Sequence, residues 1–400
     1  MKWLGRELGF DLFRVELISG VIGALISIGL AKTWGTESQG EWSVLNNFAS
    51  TGALIFTAGL PPVLVSLLRR KMIYERSLIR RFFTYFIMIF IVMTLLIYGL
   101  ALNPGMKFLF SKLVYTGGGY FLLSAQITFL TCINIAGAWM DGKNKLMQLS
   151  GARLILNIGL AVAIGILCFM YSDSLSKLIL YVWYTFLLHA VITLFYMIYT
   201  VRPVTGVEEK DKGNSITIIG MISQGGWIYL CADLFQKLNY RLDIWFLSAL
   251  KTNYEVGVYS IASSISLFLL IRSRNSQRVL INKFKPDDGI GNDRLIRSEI
   301  SLLGKQMMGL TILFLIAAFL LFKFLGSEYA AGFPVLIFLS FGIYAISVTM
   351  PFSAYFIFIH SPIYNFAAAA IGLVINIFFN YALIPKFNIW GATLASVFTY

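Results

Sequence analysis

Eleven long apolar stretches occupy most of this chain, and each has the length of a membrane-spanning helix. The hydrocarbon core of a bilayer is about 30 Å thick, and a helix needs about 20 apolar residues to cross it. Charged residues make up only 13% of the chain, whereas a soluble domain carries about 25%, so soluble enzyme folds are excluded. The stretches lie at roughly 10–32, 43–67, 80–102, 117–140, 149–171, 177–201, 222–249, 256–280, 301–325, 333–359 and 363–385.

A twelfth apolar stretch begins at Gly391 and continues to Tyr400. Ten residues of helix rise only about 15 Å, half of the hydrocarbon core. We therefore expect an all-α polytopic membrane protein with 12 spans, of which the last is incomplete and continues in a longer natural chain. We expect no cleavable signal peptide, because Lys2 and Arg6 lead directly into a stretch of spanning length.

The charges between the stretches favour one orientation in the membrane. With the N-terminus in the cytoplasm, roughly three-quarters of the loop lysines and arginines fall on the inner side, as the positive-inside rule predicts. The same bias explains the net charge of +13 without a nucleic-acid partner.

All loops are short, which disfavours a membrane-embedded polymerase of polysaccharide assembly, since such an enzyme usually needs a substantial loop for its chemistry.

A charged segment at 202–214 divides six stretches from six, and similar residues recur on its two sides. At a constant offset of 217 positions, Gly40 matches Gly257 and Ser43 matches Ser260. We therefore predict a duplicated chain, whose parallel repeats would bind substrate at their interface. Its predicted parts are an N-terminal six-helix bundle at 1–201, a cytoplasmic linker at 202–214 and a C-terminal bundle at 215–400.

Three short motifs carry a resemblance to a known family. The seventh stretch contains Asn239 and Asp243 in the pattern N-x-x-x-D, and V-G-V-Y-S-I-A follows at 256–262. Near the end of the chain, Asn376 and Asn380 precede an L-I-P motif and then G-A-T-L-A-S. The three motifs resemble those of the polysaccharide flippases, the O-antigen and exopolysaccharide translocases related to multidrug and toxin extrusion (MATE) transporters and lipid II flippases.

One position departs from that family's pattern. Asn388 stands where the family usually has glycine. Asparagine also tolerates a left-handed backbone better than most residues do. The departure from the family's pattern is therefore mild.

The resemblance implies a MATE-like fold, with two six-helix bundles around a central cavity that opens alternately to each side of the membrane. The cargo that it implies is an undecaprenyl-diphosphate-linked oligosaccharide, moved to the periplasmic leaflet of a bacterial inner membrane for cell-surface polysaccharide (lipopolysaccharide or exopolysaccharide) biosynthesis. It implies a transporter rather than an enzyme, with membrane lipid, a polysaccharide polymerase and a chain-length regulator as further partners. A MATE-type cation or drug antiporter and a lipid II flippase stay open as alternatives.

Charged residues inside the spans are the candidates for binding that cargo, because intramembrane charges are rare and usually functional. Asp233, Lys237 and Arg241 follow one another at four-residue spacing, so we predict that they share one helix face. Asp243 lies on another side. One interpretation is that Lys237 and Arg241 bind the diphosphate while Asp233 orients them. The other is an internally neutralised ladder that only packs against a neighbouring helix.

Two arginines near the inner surface are further candidates for the cavity. Arg14 in the first stretch and Arg272 in the eighth either bind substrate phosphate or extend their charge to the membrane surface. The carboxylates Asp233, Asp243 and Glu16 leave proton or sodium coupling open, although each has cationic neighbours that make a salt bridge an equal interpretation.

The sequence predicts no cofactor and no resident metal. No ATP-binding motif occurs in it, and an inside-negative membrane potential supplies about 2.3 kcal/mol per charge per 100 mV to export of an anion. His189 and His360 are solitary, and the three cysteines lie far apart in apolar stretches.

Overall fold

The computed structural model describes residues 2–57, 60–69, 75–102, 119–143, 145–171, 175–201, 227–281, 283–284, 288–358 and 362–400. Within these residues the chain is helical and contains no strand. The all-α prediction is therefore confirmed. The predicted linker at 202–214 lies outside the described residues.

Fourteen α-helices and two short 3₁₀ segments contain nearly all of the described residues. The 3₁₀ segments are Leu267–Leu269 and Ser327–Tyr329. The α-helices are α1 (Lys2–Thr57), α2 (Leu60–Arg69), α3 (Glu75–Ala101), α4 (Gly119–Gly142), α5 (Leu146–Met170), α6 (Leu175–Val201), α7 (Trp227–Asn239), α8 (Leu242–Leu250), α9 (Asn253–Ser266), α10 (Leu270–Ile281), α11 (Gly289–Leu325), α12 (Gly332–Phe358), α13 (Pro362–Phe387) and α14 (Ile389–Thr399).

Eight helices of the described chain are long and apolar enough to cross a membrane, and the chain is a multi-pass membrane protein. The first of the eight, Arg14–Thr57, has 44 residues, about twice the length that one crossing needs. Gly35 divides it, with φ 75° and ψ 175°, a backbone conformation that glycine adopts readily. The predicted first and second spans are thus joined at a one-residue kink instead of by a loop.

The predicted seventh span, 222–249, is interrupted. Helix α7 ends at Asn239 and α8 begins at Leu242, and Arg241 between them has φ −131° and ψ −13°. The backbone N–H of Arg241 donates to the carbonyl of Leu238 at 2.9 Å, which tightens the last turn of α7. Arg241 therefore does not continue the helix that carries Lys237, and the face predicted for 233, 237 and 241 does not extend to it.

Helix α11 begins well before the ninth apolar stretch, 301–325. Helix α11 begins at Gly289, because the carboxylate of Asp288 accepts a hydrogen bond from the backbone N–H of Gly291 at 2.8 Å. An aspartate in this N-cap position satisfies one of the free N–H groups of the first turn. Helix α11 therefore starts about a dozen residues before the apolar stretch that predicted it.

The described chain forms two compact units, Met1–Ser43 with Phe235–Tyr400, and Val44–Leu234. In the first unit, the start of α1 packs on the C-terminal helices. The guanidinium of Arg278 and the carboxylate of Glu16 form an ion pair at 2.9 Å, and the hydroxyl of Tyr329 donates to the carbonyl of Ala31 at 3.2 Å. The division predicted at 201 and 215 stays a prediction.

The second unit contains a neutral polar network within its helices α1, α4 and α6. The amide of Gln126 donates to Asn46 Oδ1 at 3.0 Å and accepts from the indole N–H of Trp183 at 2.9 Å. Gln126 and Trp183 are buried. Among the described residues of this unit, no aspartate or glutamate is buried. The buried polar groups of the network are therefore satisfied without a charge.

Asn388 has a backbone conformation that is unusual for a residue with a side chain, with ψ −129°. Its φ is 53°, and among the described residues it is the one non-glycine residue with a positive φ. It precedes α14, and its carbonyl accepts the backbone N–H of Gly391 at 2.9 Å. The turn between α13 and α14 thus requires a backbone conformation that asparagine tolerates and most residues avoid.

Candidate functional site

The carboxylate of Asp243 is the centre of a buried polar cluster in the first unit. Asp243 is 1% exposed, and among the described residues it is the one buried side chain that normally carries a charge. It lies in the first turn of α8, directly after the interruption that ends α7. The interruption exposes free N–H groups at the start of α8, where the helix dipole favours a negative charge.

Three neutral donors from three other helices converge on this carboxylate. The hydroxyl of Tyr259 on α9 donates to Oδ2 at 2.6 Å, and Nδ2 of Asn380 on α13 donates to Oδ1 at 2.8 Å. The hydroxyl of Ser396 on α14 also donates to Oδ2. None of these donors carries a charge, so the negative charge of Asp243 is solvated by hydrogen bonds but is not neutralised by them.

A second layer of amides and hydroxyls extends the cluster. Asn380 Nδ2 also donates to Asn376 Oδ1 at 2.7 Å, and Asn376 Nδ2 donates to the hydroxyl of Thr399 at 3.4 Å. Asn376 and Asn380 are fully buried. Asn380 Oδ1 is buried and accepts no hydrogen bond from the described residues. Buried acceptors in proteins are nearly always hydrogen-bonded. The unpartnered Oδ1 of Asn380 therefore indicates a position where a bound ligand would supply the missing partner.

The donor set fits a small, hard cation. Carboxylate, amide carbonyl and hydroxyl oxygens are the ligands that such cations prefer. A buried carboxylate without a cationic partner is costly and tends to be neutralised. A single carboxylate matches a monovalent ion, and the unpartnered Oδ1 of Asn380 is a further oxygen of the kind that such an ion binds.

The other predicted site residues do not join this cluster. Arg241 is half-buried at the interruption between α7 and α8, Lys237 is exposed on α7, and Asp233 on α7 is half-buried. Arg14 is exposed on α1. Asp243 therefore belongs to a site of its own, and a role for the other residues in binding cargo stays a prediction.

Arg272 lies on α10, a helix of unusual composition. Its Nε and Nη2 donate to Oε1 of Gln306 at 3.0 and 2.7 Å. Arg272, Arg274 and Arg278 are three of the twelve residues of α10, which contains no acidic residue. Glu16, which the sequence left open for cation coupling, forms the ion pair with Arg278. Helix α10 thus concentrates positive charge directly beyond the apolar helix α9.

Sequence reasoning missed four members of the site, Tyr259, Asn376, Asn380 and Ser396, although it had singled out the motifs that contain them. Tyr259 belongs to V-G-V-Y-S-I-A, the two asparagines precede L-I-P, and Ser396 ends G-A-T-L-A-S. The signal was that all three motifs carry polar residues inside apolar spans. Their convergence on Asp243 could not be read from spacing along the chain.

Comparison with known proteins gives the fold. No protein-family sequence profile matches the chain. No curated protein matches it by sequence. The structure is similar to that of the lipid II flippase MurJ in an inward closed conformation, with a TM-score of 0.67 and 18% identity over 97% of this chain and 84% of that chain.

Transporters of the MATE family are equally similar in structure. An inward-facing multidrug resistance MATE transporter of the MOP superfamily has a TM-score of 0.67 and 14% identity over 98% of this chain and 94% of that one. The Vibrio cholerae MATE transporter VcmN has a TM-score of 0.68 and 12% identity over 99% and 94%. The chain has the MATE-like fold. The predicted all-α, MATE-like fold class is thus confirmed, whereas the count of 12 spans stays a prediction. Identities this low leave the cargo of the protein to be proposed.

Proposed function

We propose that this protein is a flippase that moves an undecaprenyl-diphosphate-linked oligosaccharide across a bacterial cytoplasmic membrane by alternating access. The observation that carries the proposal is the acid-free, arginine-rich helix α10 in a chain of MATE-like fold. A diphosphate has about two negative charges, which guanidinium groups bind well. Sugar hydroxyls that entered hydrocarbon without partners would each cost several kcal/mol, so this cargo needs a polar route between helices.

The alternative of a MATE-type drug antiporter has one observation in its favour, the buried carboxylate of Asp243. That carboxylate is closed in by Tyr259, Asn380 and Ser396 and is 1% exposed. An organic cation would have to displace all three, whereas a small monovalent ion needs only oxygen ligands of the kind that surround this carboxylate. A lipid II flippase would carry cargo of the same chemistry, a glycan on a lipid diphosphate, and the likeness to MurJ supports it equally.

The flippase proposal is tested by the position of the cargo in cells that lack this protein. We expect undecaprenyl-diphosphate-linked oligosaccharide to accumulate on the cytoplasmic face, measured by mass spectrometry with sidedness assayed in sealed vesicles. Wild type and Arg294→Ala, an exposed control beyond the span on α11, should restore export. Arg272→Ala on α10 should reduce export by about tenfold or more, the effect of losing about 1.4 kcal/mol of interaction with the phosphate.

Three results would contradict this proposal. A normal distribution of the oligosaccharide together with altered drug tolerance would support the antiporter. Accumulation of lipid II in place of the oligosaccharide would support the sister function. Oligosaccharide that already lies on the outer face, with loss of long polymer, would instead indicate a role in polymerisation.

We further propose that a monovalent cation, sodium, binds at Asp243 as a co-substrate. Its ligands would be Asp243, Asn380 Oδ1 and neighbouring oxygens of Asn376 and Ser396. Sodium should raise the unfolding temperature of the purified protein relative to choline at equal ionic strength. At 100 times its dissociation constant, sodium adds about 2.7 kcal/mol of stability by mass action.

The matched control for the sodium effect is Asp243→Asn, which keeps the size of the side chain and removes the charge. We expect this variant to lose the sodium-dependent shift and to retain the fold. An equal shift in Asp243→Asn and wild type would place the sodium effect elsewhere in the protein. The absence of any shift in wild type would contradict sodium as the coupling ion.

A further inference from the structure

Helices α1 and α9 cross with their backbones in contact, at a point that we name the Gly40–Gly257 crossing. A Cβ atom on Gly40 would lie 2.0 Å from the carbonyl oxygen of Asn253, and one on Gly257 would lie 1.9 Å from that of Thr36. The hydroxyl of Ser43 donates to that of Ser260 at 2.7 Å. Only the absence of side chains at the two glycines allows the helices to approach so closely.

The crossing joins the two sequence repeats at equivalent positions. Gly40 and Gly257 are 217 positions apart, as are Ser43 and Ser260, and Thr36 is related to Asn253 by the same offset. Each repeat thus offers the same residues to the other, as in a contact around a two-fold axis. This reciprocity supports the duplication that the sequence predicts.

The same turn of α9 also reaches the carboxylate of Asp243. Tyr259 lies between Gly257 and Ser260, and it is 1% exposed. Its hydroxyl donates to Asp243 Oδ2 at 2.6 Å and lies 3.3 Å from the hydroxyl of Ser396. Residues 257–260 therefore make two different contacts. Gly257 and Ser260 contact α1, and Tyr259 contacts the buried carboxylate of Asp243.

We propose that Tyr259 couples the charge at Asp243 to the closure of the Gly40–Gly257 crossing. A hydrogen bond to an ionised carboxylate is about twice as strong as one to a neutral acceptor. While Asp243 is charged, this bond holds α9 in the position that lets its backbone meet α1. A cation that neutralises Asp243 weakens the bond, and α9 is then free to leave α1.

Closure of the crossing is suited to such a switch. Two backbones that touch at glycines either meet closely or separate, because packed interfaces have discrete arrangements and do not deform continuously. The crossing also lies where the predicted topology places the outer ends of the second and eighth spans. The proposal rests on the proposed function only in taking Asp243 as the residue whose charge changes during transport.

Disulfide formation across the crossing tests the coupling. Cysteines replace Ser43 and Ser260 in a chain whose Cys132, Cys168 and Cys231 are changed to alanine, and the rate of oxidation is measured in membranes. We expect Asp243→Asn to slow disulfide formation by about fivefold or more, the lower end of common coupling between sites. In a Tyr259→Phe background the same Asp243→Asn change should have no effect on the rate.

The matched control is Tyr254→Phe, a second tyrosine on α9. Its hydroxyl donates to the carbonyl of Glu328 at 3.0 Å and does not contact Asp243. In this background Asp243→Asn should still slow disulfide formation. If the cysteine pair at Ser43 and Ser260 forms no disulfide in any background, Thr36→Cys and Asn253→Cys provide a second pair at the same crossing, one helical turn before Gly40 and Gly257.

Two results would overturn the coupling. One is an equal effect of Asp243→Asn with tyrosine or phenylalanine at 259, which would show that another route connects the sites. The other is no effect of Asp243→Asn in either background. Failure of the proposed function would give a different result. Sodium would then not shift the unfolding temperature, or export of the oligosaccharide would be normal in cells that lack the protein. The expected disulfide rates would still support the coupling between Asp243 and the Gly40–Gly257 crossing.

Discussion

Gly257→Ala is expected to destabilise the protein by about 3 kcal/mol or more, the upper range for overpacking a well-packed site. The new Cβ would lie 1.9 Å from the carbonyl oxygen of Thr36 and 3.2 Å from the backbone nitrogen of Gly40. Both neighbours are backbone atoms of α1, which cannot rotate away as the end of a side chain can. Helices α1 and α9 must therefore separate along their length, and the unfolding temperature in detergent should fall accordingly.

The repeat supplies a matched partner for this prediction. Gly40→Ala places a Cβ 2.0 Å from the carbonyl oxygen of Asn253, so the two substitutions should cost nearly the same. Gly309→Ala on α11 is the control, because its added Cβ would meet no atom within 4 Å apart from the adjoining backbone of its own helix. It should stabilise the helix by up to about 1 kcal/mol through helix propensity. A Gly257→Ala protein as stable as Gly309→Ala would contradict the contact between backbones.

Asp243→Ala is expected to have the second large effect on stability. It removes the acceptor of three buried donors, Tyr259, Asn380 and Ser396. A buried donor that loses its partner costs about 1–3 kcal/mol, so the summed loss should reach several kcal/mol unless water enters the cavity. Chemical denaturation of the purified protein measures this difference.

Asp288→Ala provides the comparison for an exposed aspartate. Asp288 caps α11 through one hydrogen bond to Gly291, and losing an N-cap of this kind costs about 1 kcal/mol. The ratio of the two losses is the informative quantity, because both variants remove the same chemical group. Equal losses would show that the donors around Asp243 find other partners and that the cluster is not rigid.

The fold class was accessible from the sequence because it depends on two strong signals. A chain with apolar stretches of spanning length has few possible architectures in a membrane. The motifs around Asn239, Asp243 and Asn376 indicated the MATE-like fold among these architectures. The offset of 217 positions identified Gly40 and Gly257 as equivalent residues of the two repeats. It did not indicate that these two residues contact each other.

The composition of the site was not accessible in the same way. Asp243 and Ser396 are 153 positions apart, and no periodicity within α8 or α14 indicates that they meet. Spacing in a helix also assumes an uninterrupted helix, and the interruption at Arg241 depends on the local hydrogen bond to Leu238. The prediction that Asp233, Lys237 and Arg241 share one helix face therefore assumed a continuous helix. The helix that carries Asp233 and Lys237 ends before Arg241.

Gly35 has a consequence for any attempt to label or cleave this protein. The first two passes are joined by one non-helical residue, so the chain has no slack at this end of the bundle. An epitope tag, a protease site or a topology reporter inserted at 33–37 would interrupt a helix where such insertions ordinarily lengthen a loop.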